Sequence, residues 1–230
     1  MMKGIQPPFK IQLVIATRNM HKVREFRAML KPFPQFDTLS LSDFPEYTLP
    51  PETGATFEEN AILKATHAAS ALNQWVLADD SGLVVSALNG APGIYSSRFA
   101  GDDATDFDNR KKILELMRHL LDDDRSAYFE CAIALASPEG LKKCSRGTCE
   151  GKLLTFERGN GGFGYDSLFL KHEYNKTFAE LSESVKNRVS HRRKAFDKIN
   201  PSLESITYSP ELSLPMPKSA PPSRENADPV

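Results

Sequence analysis

Two consecutive carboxylates, Asp79 and Asp80, follow an apolar run from Trp75 to Ala78 and precede Ser81 and Gly82. An apolar run of this kind leading into Ser-Gly reads as a buried strand entering a turn, where side-chain charge meets mobile backbone at the end of a sheet. Successive strand residues face opposite sides, so the two carboxylates cannot both point into the core, and an unpaired carboxylate is seldom buried. Two readings stay open here. Either one carboxylate caps the turn while the other faces a cleft and takes part in chemistry, or both are turn aspartates held by Asx-type hydrogen bonds.

A second group with chemical potential is Thr17-Arg18-Asn19-Met20-His21-Lys22, between an apolar stretch, Ile11 to Ala16, and a helical pattern with Met20, Val23, Phe26 and Leu30 on one stripe. The strand-loop-helix order aims free N–H groups of a helix N-terminus at the carboxyl end of the strand and surrounds them with Arg18, His21 and Lys22, which suits an anion. The segment lacks G-x-x-x-x-G-K-[ST], and solvated basic residues on a helix are the competing reading. Glu52 lies in the turn Pro50 to Gly54, where it either helps hold a metal or is exposed. Lys64 lies off the apolar stripe of the next helix, where it is either solvated or turned towards the anion that Lys22 would meet.

Gly159 to Asp166 contains G-x-G-x-x-G, but the residues after it, Ser167 to Leu170, are strand-like, which removes the dinucleotide reading. Glycines interleaved with Phe163 and Tyr165 let backbone approach a flat ligand while a ring stacks on it, as a nucleobase would require. Further on, Lys186, His191 and Arg192 would not share a face of one continuous helix. A break at Ser190, acting as N-cap of a final helix, puts His191 and Arg192 in its first turn with free N–H donors.

The elements that must position these groups follow from local pattern. Phe36 to Leu41 is a second strand. Thr56 and Glu59 have capping-box spacing before a helix that ends near Asn73. Ala104 to Leu121 is an amphipathic helix with Ile113, Leu114, Leu116, Met117 and Leu120 inward. Ala127 to Ala136 and Leu141 to Arg146 form a hairpin about Ser137-Pro138-Glu139-Gly140. Strand-helix units followed by antiparallel strands imply a mixed sheet in an α/β fold. Residues 1–203 read as one domain, and Pro, Ser and charged residues dominate 204–230, which is expected to be a disordered tail.

Composition narrows the function classes. With 230 residues, 40% hydrophobic and 26% charged, the chain can bury a real core, and a formal net charge of −1 gives no global field for nucleic acid or an anionic membrane. No apolar run approaches a membrane span or a signal peptide, and a cytoplasmic protein is expected. Cys131, Cys144 and Cys149 show no zinc spacing and read as reduced, structural thiols.

From Ile11 to Ile199 the chain resembles the inosine triphosphate pyrophosphatase family, the enzymes that clear non-canonical purine triphosphates. The resemblance runs through Thr17-x-Asn19-x-x-Lys22, Glu52-Thr53-Gly54-x-Thr56-Phe57-x-Glu59-Asn60-Ala61, Ala78 to Leu83, Gly90 to Arg98, Gly161 to Asp166 and Ser190-His191-Arg192. It implies an elongated mixed sheet with helices around it, two lobes enclosing a cleft, a homodimer, and Mg²⁺-dependent hydrolysis of ITP, dITP or XTP to the monophosphate and pyrophosphate. It puts the triphosphate on Thr17, Arg18, Asn19, Met20, His21 and Lys22 with Lys64 nearby, and metal on Glu52 and Asp80. Asp80 is also the residue that would activate water, and Ser81 contacts substrate. Phe163, Gly164, Tyr165, Asp166, Lys186, His191 and Arg192 would hold the base. Ser167 and Pro51 depart from the family pattern, where relatives have proline and often a further acid. Mg²⁺ suits a few carboxylates with water, here Glu52, Asp80 and Asp79 as a third candidate. The alternatives are a nucleotide-sensing binding protein with the same cleft and a Maf-like pyrophosphatase acting on modified nucleotides.

Overall fold

A computed structural model describes residues 10–206. The expected loose leader at 1–9 and the part of the expected tail beyond Ile206 lie outside the described residues. Seven strands form one mixed sheet in the order β2-β1-β3-β4-β5-β6-β7. They are β1 (Ile11–Ile15), β2 (Phe36–Ser40), β3 (Trp75–Val85), β4 (Ser126–Ser137), β5 (Gly140–Leu153), β6 (Phe169–Lys171) and β7 (Lys176–Thr177). β1 runs parallel to β2 and β3, and every later pairing is antiparallel. The helices are α1 (Met20–Leu30), α2 (Phe57–Leu72), α3 (Asp106–Leu116), α4 (Glu183–Val189) and α5 (His191–Glu204).

Apolar side chains of α1 and α5, including Phe26, Phe196 and Ile199, cover one face of the sheet over Leu13, Leu77 and Ile133. The small residues Ala61, Ala65 and Ala69 of α2 close the other face over Val14, Val76 and Ala134. A third cluster joins Ile113 and Met117 to Phe129, Phe169 and Phe178, and builds the second lobe. Among the described residues, no helix is long and apolar enough to cross a membrane.

Three local expectations are corrected. β3 does not turn at Ser81-Gly82: ten residue pairs from Val76↔Ala136 to Val85↔Ala127 bind it to β4, and this ladder outweighs the turn preference of Ser-Gly. Gly82 is needed within the strand because a Cβ there would lie 2.3 Å from Ser96 Oγ and 2.4 Å from the Gly93 carbonyl oxygen. α3 is shorter than its apolar pattern. It starts at a capping box between Thr105 and Asp108 and stops before Met117, so Leu116 is 42% exposed. α5 continues through Pro201, which lacks one donor N–H, and Leu203 and Ile206 beyond it pack into the core.

Candidate active site

A cleft of about 230 Å³ opens between the lobes. The β1–α1 and α2–β3 side contributes Thr17, Asn19, Lys22, Glu52, Lys64, Asp80 and Ser81. The opposite side contributes Phe163, Gly164, Tyr165, Asp166, Lys186, His191 and Arg192. Three residues expected at the anion are placed differently. Met20 is 48% exposed and lies off the cleft, because a helix's first residue has no preceding turn to cover it. The Arg18 guanidinium donates to the Tyr47 carbonyl at 2.7 Å, tying the loop before Glu52 to the end of β1. The His21 ring stacks on Phe163, with centroids 5.1 Å apart. The expected free amides are also partly spent, since Asn19 Oδ1 accepts from the N–H groups of His21 and Lys22 at 2.9 and 3.2 Å.

Consecutive positions on β3 send Asp79 and Asp80 to opposite faces, and both are buried, at 1% and 6% exposure. The rule that buried carboxylates are paired holds for each. On the α2 face, Lys64 Nζ lies between Glu52 Oε1 at 2.7 Å and Asp80 Oδ1 at 3.0 Å. Asn60 donates to Asp80 Oδ2 at 3.2 Å, and Arg98 donates to Glu52 Oε2 at 3.0 Å. Burial pushes the Asp80 carboxyl above its usual range despite Lys64. Burial works the same way on Glu52, but Lys64 and Arg98 outweigh it and hold that carboxyl low. Burial disfavours charge on Lys64, yet Asp80 and Glu52 keep its pKa raised.

On the other face three carboxylates and three cations alternate in one chain of contacts: Asp166, Lys186, Glu25, Arg192, Asp79 and Lys22. Lys186 Nζ is 2.5 Å from Asp166 and 2.9 Å from Glu25, and Arg192 NH1 donates to Glu25 at 2.5 Å. Arg192 Nε and NH2 both donate to Asp79 Oδ2, at 3.1 and 2.8 Å, while Asp79 Oδ1 is buried with no partner among the described residues. Burial alone would raise the Asp79 pKa, but Lys22 and Arg192 hold it far below the usual carboxylate range. These contacts take Asp79 out of the candidate metal set. They also spend the Arg192 side chain on protein carboxylates, so its guanidinium is chiefly an internal strut.

Ser190 ends α4 and caps α5, accepting from the Arg193 N–H at 3.2 Å. This break leaves the first-turn N–H groups of His191 and Arg192 without helical acceptors. The His191 ring stacks on Phe129 at 4.8 Å, and burial, with Arg192 and Lys186 adding to it, lowers its pKa well below 6.5, so the ring is neutral. Lys186 Nζ also sits 4.6 Å from the Phe163 ring centroid. One side of the cleft is thus an acid–lysine cluster and the other an aromatic wall carrying donors.

Sequence reasoning missed Glu25, Asn60 and Arg98. Asn60 and Arg98 stand inside the quoted motifs, and Glu25 is a charge beside Phe26 on the buried side of α1, three residues after Lys22. That position was the available signal.

The fold and cleft define an α/β protein whose two-sided polar cavity lies between an acid–lysine cluster and an aromatic wall. The chain belongs to the Ham1 family, whose family model matches residues 13–202. It is 58% identical over 197 residues to a dITP/XTP pyrophosphatase of Protochlamydia amoebophila, covering 85% of this chain and 99% of that one. It is 55% identical over 197 residues to a dITP/XTP pyrophosphatase of Chlamydia caviae, covering 85% and 96%. Among solved structures, a HAM1 protein from Coxiella burnetii matches with a TM-score of 0.77 at 39% identity, covering 85% of this chain and all (100%) of that one. The Staphylococcus aureus Ham1 protein matches with a TM-score of 0.74 at 42% identity, covering 84% and 98%.

Proposed function

We propose that this cleft hydrolyses non-canonical purine nucleoside triphosphates, ITP, dITP and XTP, to the monophosphate and pyrophosphate. The observation that carries the reading is that one cavity joins the Glu52–Lys64–Asp80 cluster to the Phe163–Lys186–His191 wall. Relatives named dITP/XTP pyrophosphatase support the same substrate class, and the Maf-like and non-catalytic alternatives find no support in the comparisons.

Lys22 and Lys64 would meet the triphosphate, because point charges on long stems suit phosphate oxygens. Glu52 and Asp80 both line the cleft, a pair of carboxylates of the kind Mg²⁺ takes together with water and phosphate oxygens, and they would hold it. Bound there, the metal would supply charge that draws electron density off the phosphates. Asp80, its carboxyl raised by burial, is the acceptor for the proton of the attacking water. Oxygen attack at the α-phosphorus then breaks the α–β bridge and releases pyrophosphate. At the other side Phe163 stacks on the purine. Lys186 and the first-turn N–H groups of α5 donate to its 6-oxo group, and adenine would confront those donors with an amine. The same reading carries a cytoplasmic homodimer.

The test is a pyrophosphate-release screen with Mg²⁺ over ITP, dITP, XTP, GTP and ATP. Preferential turnover of the first three is expected. Equal turnover of ATP, or orthophosphate as the product, would overturn the reading.

A further inference from the structure

The glycine loop that carries Phe163 is fixed at its start, where the Gly161 N–H donates to the Ala179 carbonyl at 3.1 Å and the Phe163 N–H donates to Asp166 Oδ2 at 3.0 Å. Past the ring, Gly164 takes a φ of 60°, a region glycine enters freely, and among the described residues nothing packs within 4 Å of where its Cβ would stand. The grip on this second half of the loop comes from α3. Asp106, the first residue of that helix, accepts from the Gly164 N–H at 2.7 Å, and Arg110, one turn later, donates to the Gly164 carbonyl at 2.9 Å. Both polar groups of one residue are held by two side chains spaced i, i+4 on one helix face.

The same face anchors α3. Asn109 donates to the Ser97 carbonyl at 3.0 Å and accepts from the Ala100 N–H at 2.8 Å, and Ile113 is fully buried. The Arg110 guanidinium is further fixed by an ion pair with Glu157 at 2.9 Å. Beyond Gly164, the Tyr165 hydroxyl donates to the Ser96 carbonyl at 2.9 Å, so Tyr165 is tied to the segment that Asn109 holds. Phe163 and Tyr165 leave the clamped residue in different directions, one to the cleft beside His21 and Lys186, the other into the core.

We propose that Asp106 and Arg110 are positioning residues for the base: they clamp Gly164 so that the Phe163 ring is held ready to stack. The assignment rests on the proposed purine reading and extends it to a helix outside the motifs. The clamp reduces the ordering that a base would otherwise impose on the loop, so it acts on binding of the nucleoside part and leaves the phosphate side alone.

The experiment measures calorimetric affinity for inosine monophosphate and, separately, inorganic tripolyphosphate, with melting temperature as the control for folding. Asp106→Ala should bind inosine monophosphate roughly tenfold more weakly, the scale of one charge-assisted hydrogen bond. Asp106→Asn, which can still accept from the Gly164 N–H, should recover most of that loss, and Arg110→Met should fall between. Tripolyphosphate affinity should stay within twofold of wild type throughout. Asp106→Ala binding inosine monophosphate as wild type does, or losing both ligands in equal proportion, would overturn the clamp. Wild-type protein that binds no purine monophosphate would overturn the functional reading and the clamp together.

Discussion

Arg192 and Asp79, 113 residues apart in the chain, meet in the interior with Nε and NH2 converging on one carboxylate oxygen at 3.1 and 2.8 Å. Both side chains are essentially inaccessible to solvent, and the pair is extended by Glu25 on one side and Lys22 on the other. A strut of this kind joins α5 to the centre of β3 and to α1.

Removing one member of the strut leaves the other buried and only partly compensated, Arg192 by Glu25 or Asp79 by Lys22. Arg192→Met or Asp79→Leu alone should cost about 3–5 kcal/mol of stability. The double variant should recover about 1–3 kcal/mol relative to the sum of the two, measured as a coupling energy in urea titrations. Additive losses would show that the pair does not act as a unit.

Asp80→Asn keeps the shape of the side chain and removes its charge. Turnover should fall roughly 10²–10⁴-fold if Asp80 receives the proton of the attacking water, while affinity for a non-hydrolysable triphosphate analogue changes only a few-fold. Wild-type turnover in this variant would remove Asp80 from the mechanism.

Composition places the tail at 204–230, yet the first residues after Ser202 are packed: Leu203 is fully buried, Ile206 is 7% exposed, and both belong to the core with α5. Truncation after Ser202 should therefore cost about 3–6 kcal/mol, the burial of two aliphatic side chains. Truncation after Thr207 spares both. Thermal melts of the two products should differ by many degrees, and identical melts would refute the packing.

His191 gives a pH dependence with a defined sign. Its folded pKa lies well below the unfolded value of 6.5, so the unfolded chain binds the proton first. The stabilisation is complete above pH 6.5 and is lost as pH falls from there through the folded value. Within that window wild-type stability should decline by up to about 1.4 kcal/mol per pH unit. His191→Gln should flatten the decline between pH 7.5 and 5.5, and equal slopes in the two proteins would assign it to other groups.

The sequence by itself determined the elements whose causes are local. The α2 cap at Thr56, the αL end at Asn73, the hairpin about Pro138-Glu139 and the break at Ser190 each depend on residues within a turn of one another. The motifs carrying Lys22, Glu52, Asp80, Phe163 and His191 were legible for the same reason. Tertiary structure alone decided which charges meet. Glu25 and Arg192 are separated by 167 positions and Asp106 and Gly164 by 58, and no local period encodes either contact. It also decided that Asp79 and Asp80 are both buried, because a carboxylate is tolerated inside only when long-range partners arrive. Ser-Gly became mid-strand for a related reason: a partner strand satisfied ten positions of β3 and outweighed a local turn preference. Local propensity is a small free-energy difference per residue, whereas pairing and desolvation act on whole segments, and only the folded chain path brings those segments together.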